Sequence, residues 1–376
     1  MNFEAIRIFV KIRNSLGSTS KKILIAPLNW GLGHATRCIP IILEFHRQGA
    51  EIFIASDGRS LELLKKEFPQ LKCFEMKGYE VKYPEQGPMV LQMILQASKI
   101  MSAIRKEHAG LEKIVEENNI DIVFSDNRYG CWSEKAYSVF MTHQLNIQTP
   151  FAFKWAEPLI SLKNKKYISA YDECWVPDFE DAENLSGILS HPRKHDNIKY
   201  IGPLSRFVFS EDKNSSQEKY DLLVICSGPE PQRTIFEDLL TREVLKTNYR
   251  TLLVKGITEA GKKTEQKKNL ETISYADSKE MQTFIESSSL IISRPGYSTI
   301  MDLAALGKKA IFIPTPGQTE QEYLAKYLAE KKYFFSSAQS KFNLEDALIK
   351  SENYQGLKIT QQPGLLKESI AQLLLK

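Results

Sequence analysis

The sequence predicts an α/β protein with two similar domains and a ligand-binding cleft between them. Short apolar runs, typical of buried parallel strands, alternate with helical patterns along most of the chain. The alternation stops at the polar segment Ser210–Lys219 and then begins again, as expected for a solvated linker between two domains. A chain of 376 residues is long enough for both domains.

Composition and charge exclude several classes of protein. Residues 1–22 hold five basic residues and one acidic residue, so the rest carries 45 of each sign and lacks the basic surface of a nucleic-acid-binding protein. The five cysteines are scattered without a Cys-x-x-Cys pair, which predicts free thiols in a reducing compartment and no zinc site. No apolar run reaches the roughly 20 residues needed to span a bilayer. We therefore expect a cytoplasmic protein without nucleic-acid partners.

Residues 1–20 form a separate basic extension. On a helical wheel its apolar residues surround a polar stripe of Glu4, Arg7, Lys11 and Asn14. Such a segment can lie on an anionic membrane surface, which would make the protein peripheral on the inner face of the membrane. An over-extended start without function explains the pattern equally well.

The N-terminal domain, residues 21–205, begins with a β–α–β unit. Lys21–Leu28 is a short buried strand, and a glycine turn leads from it to a helix over Cys38–Gln48 and a strand over Ala50–Ser56. A long helix is predicted over Met89–Asn118. The remaining predicted strands are Leu71–Met76, Ile120–Phe124, Pro150–Phe153, Glu173–Val176 and Lys199–Ile201.

The C-terminal domain, residues 220–362, repeats this design after a linker over residues 206–219. A last helix lies within residues 363–376. Because the carboxyl ends of parallel strands meet at one edge of a sheet, the turns after the strands predict where ligands bind. The predicted strands are Asp221–Ile225, Arg250–Lys255, Leu270–Tyr275, Leu290–Ser293 and Lys309–Ile313.

The turn after the first strand, Gly31-Leu-Gly-His-Ala-Thr-Arg37, carries the candidate catalytic base. It lacks the Gly-Lys-Ser/Thr ending of a Walker loop, and Thr36 replaces the third glycine of the Gly-x-Gly-x-x-Gly fingerprint. The turn places His34 at the top of a strand, where its imidazole can remove a proton from a hydroxyl group near neutral pH. Gly33 is assigned to the donor side of the site. The alternative is that His34 only caps or packs its own helix.

Asp126 is the candidate partner of this histidine. It follows the fourth predicted strand and should lie at the same sheet edge as His34, where a carboxylate can fix the tautomer of the imidazole. Alternatively, Asp126, Asn127 and Arg128 form a turn with local hydrogen bonds. Asn127 and Arg128 are also weak candidates for contacting an acceptor substrate.

Two consecutive turns in the C-terminal domain predict an anion site beside a site for sugar hydroxyls. Pro295 and Gly296 allow a sharp reversal, and the helix that follows begins with free N–H groups that suit a phosphate. Ser227-Gly228, after the first strand of this domain, adds a compact backbone for close phosphate approach. A nucleotide sugar carries both kinds of group. The donor contacts predicted from these turns are Ser227, Gly228, Arg294, Gly296, Ser298, Thr299, Gln318, Glu320 and Gln321.

These turns and the Gly-Leu-Gly-His-Ala-Thr-Arg run resemble the GT-B glycosyltransferases, in the branch of MurG-type lipid-sugar transferases (family 28) and UDP-glucuronosyltransferase-like enzymes. The likeness covers nearly the whole chain after residue 20 and is most specific over Arg294–Gln321. It implies two Rossmann-like domains and an inverting, metal-independent hexosyl transfer from a nucleotide sugar, often UDP-linked, without a cofactor. It also implies synthesis of a cell-envelope polysaccharide or glycolipid.

The resemblance assigns roles by position in the N-terminal domain, in the first turn of the C-terminal domain and at the chain end. His34 matches a histidine base, and Asp126 its orienting acid. Ser227 and Gly228 match the glycine turn on the phosphate side. The helix within residues 363–376 would cross back onto the N-terminal domain.

The same resemblance assigns the rest of the donor site. Ser298 and Thr299 would face the phosphates, and Glu320 with Gln321 matches the acid–glutamine pair that holds the donor sugar. Asp302 stands where the family usually has a ribose-binding glutamate, and its side chain is shorter.

Two other functions stay open. The N-terminal run also resembles the Gly-x-Gly-His-x-x-Arg-Cys stretch of a GT-B-fold hydrolase of UDP-sugars in pseudaminic acid synthesis, in which water replaces the acceptor. The other is a non-catalytic nucleotide-sugar binding protein, against which the intact His34 counts. The acceptor of a transferase would be a hydroxyl compound, a lipid or a glycan. The apolar stretch around Met93 is a weak candidate for contacting it, and an ordinary core helix explains that stretch too.

Overall fold

Two seven-stranded sheets organise the part of the chain that the computed structural model describes. The predicted extension over residues 1–20 lies outside it except for Ser20, and so do Met93 and residues 208–218 of the predicted linker. The described residues are 20–79, 96–181, 183–191, 197–207, 219–257, 262–359 and 363–376.

The first sheet is parallel, with strand order β3-β2-β1-β4-β5-β6-β7. Its elements are β1 (Lys22–Pro27), α1 (Gly33–Arg47), β2 (Glu51–Ser56), α2 (Gly58–Glu67), β3 (Lys72–Glu75), α3 (Ala97–Asn118), β4 (Ile122–Asp126), β5 (Tyr137–Met141), α4 (Glu157–Ile168), β6 (Glu173–Val176) and β7 (Ile198–Tyr200).

Strand β1 is apolar after Lys22, and both faces of this sheet are covered. Ile23 and Ile25 pack in the core that contains Phe45 of α1, whereas Leu24 packs on the other face with Leu111 of α3. This is the environment in which parallel strands have continuous rather than alternating hydrophobicity.

In this domain one predicted strand is wrong and one strand was not predicted. Pro150–Phe153 is not a strand, because Phe151–Ala156 forms a 3₁₀ helix that runs directly into α4, and the Phe153 N–H donates to the Pro150 carbonyl at 2.8 Å. The proline and the aromatic residues suit an extended segment equally well, but the helix that follows decides the conformation. Strand β5, Tyr137–Met141, was not predicted, although it lies between β4 and β6 and is nearly fully buried.

The second sheet has the order β10-β11-β9-β8-β12-β13-β14, with only the β10–β11 pair antiparallel. The predicted fold of two parallel-sheet α/β domains is therefore confirmed. The elements are β8 (Tyr220–Ile225), α5 (Gln232–Val244), β9 (Thr251–Val254), β10 (Thr264–Lys267), β11 (Leu270–Ile273), α6 (Ser278–Glu286), β12 (Ser288–Ser293), α7 (Tyr297–Leu306), β13 (Ala310–Phe312), α8 (Thr319–Glu330), β14 (Phe335–Ser336), α9 (Leu344–Ser351) and α10 (Pro363–Leu373).

Each sheet has a point where the strand order reverses, and loops diverge there to leave a crevice. In the first sheet this point lies between β1 and β4, whose last residues, Pro27 and Asp126, are register partners. In the second sheet it lies between β8 and β12, where Ile225 pairs with Ser293. The loops that follow these four strands therefore line the two places where ligands are expected.

The two domains contact each other directly. The Ser298 hydroxyl donates to the Gly33 carbonyl at 2.8 Å, and the Thr319 hydroxyl donates to the Gln148 carbonyl at 2.8 Å. Helix α10 returns to the first domain, where its Gln372 accepts a hydrogen bond from the Lys199 ammonium at 2.7 Å. The carboxyl ends of the two sheets thus face a common interface.

Candidate active site

His34 and Asp126 lie side by side at the reversal point of the first sheet. His34 is in the first turn of α1, and its Nδ1 is 3.1 Å from Oδ1 of Asp126, which ends β4. The Asp126 side chain is fully buried, whereas that of His34 keeps 12% exposure. The sequence therefore places these two groups at one sheet edge, and the fold brings them within hydrogen-bonding distance.

Arg37 is the third member of this cluster and was assigned no role from the sequence. Its Nε donates to Asp126 Oδ2 at 2.7 Å, while its Nη2 contacts Asp126 Oδ1 and lies 2.9 Å from Nδ1 of His34. The spacing of three residues from His34 was the available signal, because it puts both side chains on one face of α1.

Burial and charge act in opposite directions on this cluster. Burial raises the pKa of Asp126, but the charge of Arg37 and the hydrogen bonds from His34 and Arg37 outweigh it and lower the pKa to about 2. Burial lowers the pKa of His34, and the attraction of Asp126 only partly offsets this. At neutral pH the site therefore holds a carboxylate beside a neutral imidazole.

His143 extends the cluster across the domain interface and was also missed. Its Nδ1 is 3.1 Å from Nη1 of Arg37, and its Nε2 is 2.7 Å from Oε1 of Glu320 in the second domain. The ring stacks on Tyr297 with centroids 4.3 Å apart and an interplanar angle of 6°. His143 follows β5, so it could not be assigned to this edge without that strand.

The N-terminus of α7 faces the N-terminus of α1. The N-cap of α7 is Gly296, and no side chain caps this helix, so its first backbone N–H groups have no partner within the helix. Ser298 reaches Gly33 as described, and a Cβ on Gly33 would lie 3.1 Å from the Ser298 Oγ. Thr299, in the same first turn, is partly exposed.

The predicted sugar-binding pair lies at the start of α8. Besides contacting His143, Glu320 accepts a hydrogen bond from the Gln144 amide through Oε2. Gln321 accepts a hydrogen bond from the Thr315 N–H at 2.8 Å, which turns its oxygen back to its own loop. Gln318 is the N-cap of α8, and its side chain makes no cap hydrogen bond.

Ser227 and Gly228 lie in the loop after β8, on the opposite side of the crevice from Gly296. Gly228 has a φ of +103°, a conformation that favours glycine, and nothing lies within 4 Å of the position of a Cβ. The backbone there is open to a ligand.

Asp302 is held by the segment that leads into the linker. It accepts a hydrogen bond from the Ser205 hydroxyl at 2.7 Å and lies 3.6 Å from Nε of Arg206. Burial raises its pKa, although Arg206 and Ser205 act in the opposite direction. Its carboxylate is only 11% exposed, so a ribose would have to compete with these contacts.

Arg294 is not placed for the donor contact expected of it. Its guanidinium is turned into the C-terminal domain, where Nη1 donates to the Ile313 carbonyl at 2.9 Å and Nη2 donates to Gln339 at 2.5 Å. It also stacks on Phe236, 4.1 Å from the ring centroid. Burial lowers its pKa to about 9. The side chain packs the loops together instead of facing the crevice.

Arg128 is likewise not in the cleft, because its side chain is fully buried in an ion pair with Glu107, with Nε 2.7 Å from Oε1. Asn127 adopts a left-handed φ of 62° and donates its backbone N–H to the Met141 carbonyl at 3.1 Å. The loop therefore has the local turn that was the alternative interpretation, while Asp126 still faces His34.

Within the described ranges no cluster of three His, Cys, Asp or Glu side chains is arranged to hold a metal ion. A separate search of the same residues finds no helix that combines the length and apolarity needed to cross a bilayer.

Two family models match the chain, one in each half. Residues 222–356 match the glycosyltransferase family 28 C-terminal domain, and residues 21–173 match glycosyl transferase family 1. The first match ends at the start of β6 and the second begins within β8, so neither match extends from one sheet into the other.

Relatives and solved structures cover nearly the whole chain. An uncharacterized glycosyltransferase of Methanosarcina acetivorans is 25% identical over 324 residues, which are 83% of this chain and 84% of the relative. The UDP-N-acetylglucosamine–N-acetylmuramyl-(pentapeptide) pyrophosphoryl-undecaprenol N-acetylglucosamine transferase of Haemophilus ducreyi is 24% identical and covers 88% of both chains. The spinosyn rhamnosyltransferase SpnG shares the fold, with a TM-score of 0.61, 13% identity and coverage of 93% and 96%. The chain is therefore a glycosyltransferase with the GT-B fold, similar to the MurG-like enzymes.

Proposed function

We propose that this glycosyltransferase transfers a hexose from a UDP-linked sugar to an acceptor hydroxyl with inversion, and that His34 is the general base. The observation that carries the proposal is the His34–Asp126 contact, which lies opposite the open N-terminus of α7. One domain thus offers a base, and the other offers groups that suit a diphosphate.

The tautomer of His34 decides whether it can act as a base. Nδ1 has two polar neighbours, Asp126 Oδ1 at 3.1 Å, which only accepts, and Arg37 Nη2 at 2.9 Å, which only donates but also contacts Asp126 Oδ1. We propose the tautomer in which Nδ1 donates to the ionised Asp126 and Arg37 donates to Asp126 instead of Nδ1, so that Nε2 has a free lone pair. Among the described residues Nε2 has no hydrogen-bond partner, and this atom is not fully buried. Nε2 can therefore take the proton of an acceptor hydroxyl while Asp126 stabilises the imidazolium that forms.

Inversion follows if the acceptor and the diphosphate lie on opposite faces of the sugar. The acceptor oxygen then bonds to the anomeric carbon as the bond from that carbon to the diphosphate oxygen breaks. The backbone N–H groups at the start of α7 and in the Ser227–Gly228 loop stabilise the negative charge of the leaving group. In this proposal the helix terminus supplies what a metal ion supplies in other enzymes.

The donor sugar is assigned to Glu320 and Gln321. The side chain of Glu320 is 31% exposed, and its Oε1 contacts His143 of the cluster around His34. Burial raises its pKa, but the interaction with His143 and the nearby His34 and Arg37 lowers it overall, so it is ionised and can accept hydrogen bonds from sugar hydroxyls.

The donor is tested first by thermal shift with UDP-N-acetylglucosamine, UDP-glucose, dTDP-glucose and GDP-mannose. A ligand that binds only the folded protein raises the unfolding temperature, so stabilisation by UDP-sugars above the others is expected. No stabilisation by any of them would contradict the proposal.

Incubation of the stabilising donor without an acceptor then separates a transferase from a hydrolase. A transferase releases sugar only slowly until an acceptor is added, whereas rapid release of free sugar would show that water is the acceptor. Binding without turnover, with any acceptor supplied, would show a non-catalytic binding protein.

We also propose that the acceptor is carried on a membrane. The Haemophilus ducreyi relative is named for an acceptor on pyrophosphoryl-undecaprenol, which is a lipid. In this chain Trp155, Leu159 and Leu162 are 73%, 66% and 67% exposed, and their spacing puts them on one helical face. Large apolar side chains that are this exposed favour an apolar partner.

The charge around this face suits an anionic lipid surface. Lysines 154, 163, 165 and 166 are all exposed, and the acidic Glu157 is turned inward, where it accepts hydrogen bonds from Thr149. Basic residues beside exposed tryptophan and leucine are typical of helices that bind at a membrane interface.

A flotation assay tests this face. Wild-type protein should float with vesicles of phosphatidylcholine and phosphatidylglycerol, and less with phosphatidylcholine alone. The triple variant Trp155→Ser, Leu159→Ser, Leu162→Ser should stay unbound. Ile349→Ser, at an equally exposed position in the other domain (67%), is the matched control and should bind like wild type. Unchanged flotation of the triple variant would remove this surface from the proposal.

A further inference from the structure

A single line of hydrogen bonds joins the candidate base to the candidate sugar ligand across the domain interface. It runs from His34 through Asp126, Arg37 and His143 to Glu320. Asp126, Arg37 and His143 are all at least 95% buried, so solvent does not interrupt the line. His143 is the member that spans the interface.

Arg37 fixes the tautomer of His143. A guanidinium can only donate hydrogen bonds, so the contact from Nη1 to Nδ1 at 3.1 Å requires a lone pair on Nδ1. The ring proton is then on Nε2, which donates to Glu320 Oε1 at 2.7 Å. The orientation of His143 is therefore determined by chemistry at both of its nitrogens.

The plane of the ring is fixed as well. His143 stacks on Tyr297, whose hydroxyl donates to the Pro177 carbonyl at 2.9 Å. Tyr297 belongs to α7 of the second domain, whereas Pro177 belongs to the first. The stacking thus exists only when the two domains are docked as they are here, and so does the contact with Glu320.

We propose that His143 is a positioning residue that sets the carboxylate of Glu320 for the donor sugar when the domains close. The inference rests on the proposed function, in which Glu320 accepts hydrogen bonds from that sugar. His143 donates to Oε1 and Gln144 donates to Oε2, so both carboxylate oxygens have a fixed direction and keep lone pairs for hydroxyl groups. His143 itself is only 4% exposed, so in this proposal it acts through Glu320.

This role predicts a selective effect on binding. His143→Ala removes one of the two donors to Glu320, and Gln144 remains, so the carboxylate loses its fixed direction but stays in the site. Affinity for the sugar should fall while affinity for the nucleotide, which Glu320 does not contact, should not. A structural role in folding would lower both.

The experiment measures dissociation constants by calorimetry for UDP and for the UDP-sugar that stabilises the wild type. His143→Ala is expected to weaken UDP-sugar binding by roughly tenfold or more, as for the loss of a hydrogen bond to a charged group, and to leave UDP binding unchanged. His143→Gln, whose amide can donate to Glu320 and accept from Arg37, should recover most of the loss. Glu322→Gln, on the same helix but bonded to the Gly317 N–H, is the matched control and should bind like wild type.

A double-mutant cycle checks the route of the effect. His143→Ala added to Glu320→Gln should weaken UDP-sugar binding no further than Glu320→Gln alone, because His143 acts through Glu320. Additive losses, equal losses for UDP and UDP-sugar, or no rescue by His143→Gln would overturn the inference. If the wild type binds UDP but no UDP-sugar, the proposed function fails instead, and this inference fails with it.

The contact itself is tested without any ligand. Unfolding temperatures of the two single variants and the double variant should be non-additive if His143 and Glu320 interact in solution. Additive shifts would show that the domains do not dock in this way, whatever the donor is.

Discussion

Two buried carboxylate–arginine pairs lie near each other in the N-terminal domain, and they differ in what surrounds them. Asp126 pairs with Arg37, and Glu107 pairs with Arg128. Asp126 ends β4, and Arg128 follows it two residues later in the chain. Each pair is desolvated and satisfied by direct hydrogen bonds, which is the condition for burying charge.

The Glu107–Arg128 pair is fully buried and makes further hydrogen bonds to the groups around it. The Tyr79 hydroxyl donates to Glu107 at 3.0 Å, and the Gly130 N–H donates to it at 2.8 Å. Arg128 donates to the Met76 carbonyl at 2.7 Å. This pair ties three segments of the chain together and offers nothing to a ligand.

The Asp126–Arg37 pair contacts two histidines instead. His34 and His143 each have a second nitrogen, one without a partner among the described residues and one directed at the other domain. The same ionic chemistry thus serves structure in one place and, in our proposal, proton transfer in the other. The two pairs differ in their neighbours, because imidazole groups that can transfer protons surround only the Asp126–Arg37 pair.

The largest effect is expected from His34→Ala. Loss of a general base lowers kcat by about 10²–10⁴-fold, and because His34 is partly exposed the fold should remain. A transfer assay together with a thermal melt checks both points. His46→Ala, further along the same helix, is the control and should keep full activity. Wild-type turnover by His34→Ala would assign the cluster to structure, like its neighbour.

Glu107→Gln should have the opposite profile. It leaves the buried Arg128 without a counter-charge and should lower the free energy of unfolding by about 3–5 kcal/mol. Denaturant titration measures this, and activity per folded molecule should be retained. Glu62→Gln, in an exposed pair with Lys65, should change stability by less than about 1 kcal/mol. A Glu107→Gln variant that is stable but inactive would contradict the structural role of the Glu107–Arg128 pair.

The pH dependence sharpens the difference further. Burial holds the pKa of His34 below 6.5, so kcat/KM should be constant near neutral pH and fall only below that value, as the imidazole becomes protonated. In Asp126→Asn the charge that raises this pKa is lost, so the fall should move to lower pH, at reduced activity. Glu107→Gln should leave the profile unchanged. Initial rates from about pH 5 to 8 measure these profiles. If Glu107→Gln also shifted the pH at which kcat/KM falls, the two ion pairs would not have separate roles.

The smallest effect is expected from Gly33→Ala, at the contact between the two domains. The new Cβ would lie 3.1 Å from the Ser298 Oγ, which can rotate away, so the free energy of unfolding should change by only about 1 kcal/mol. The hydrogen bond from Ser298 to Gly33 would weaken, and a several-fold rise in KM for the donor is the expected consequence. Adding Ser298→Ala removes the crowding. If the double variant is less stable than Gly33→Ala, the Ser298–Gly33 hydrogen bond stabilises the protein by more than the crowding destabilises it.

The sequence predicted the fold because most strands, and the turns that follow them, have a local signal. The apolar run of β1, the glycine turn at Gly31 and the polar segment Ser210–Lys219 are all features that neighbouring residues determine. His34 and Asp126 could be placed at one edge because parallel strands end on the same side. Strand β5 was missed although its residues favour a strand, and with it the position of His143.

The tertiary structure alone decided which charged side chains face the crevice and which are buried. The sequence does not distinguish Arg37, Arg128 and Arg294, because each lies in a turn after a predicted strand. Only the packing shows that Arg37 joins two histidines, while the other two are enclosed in their own domains. The contact between His143 and Glu320 joins residues 177 positions apart, and no local pattern encodes the docking of two separately folded sheets.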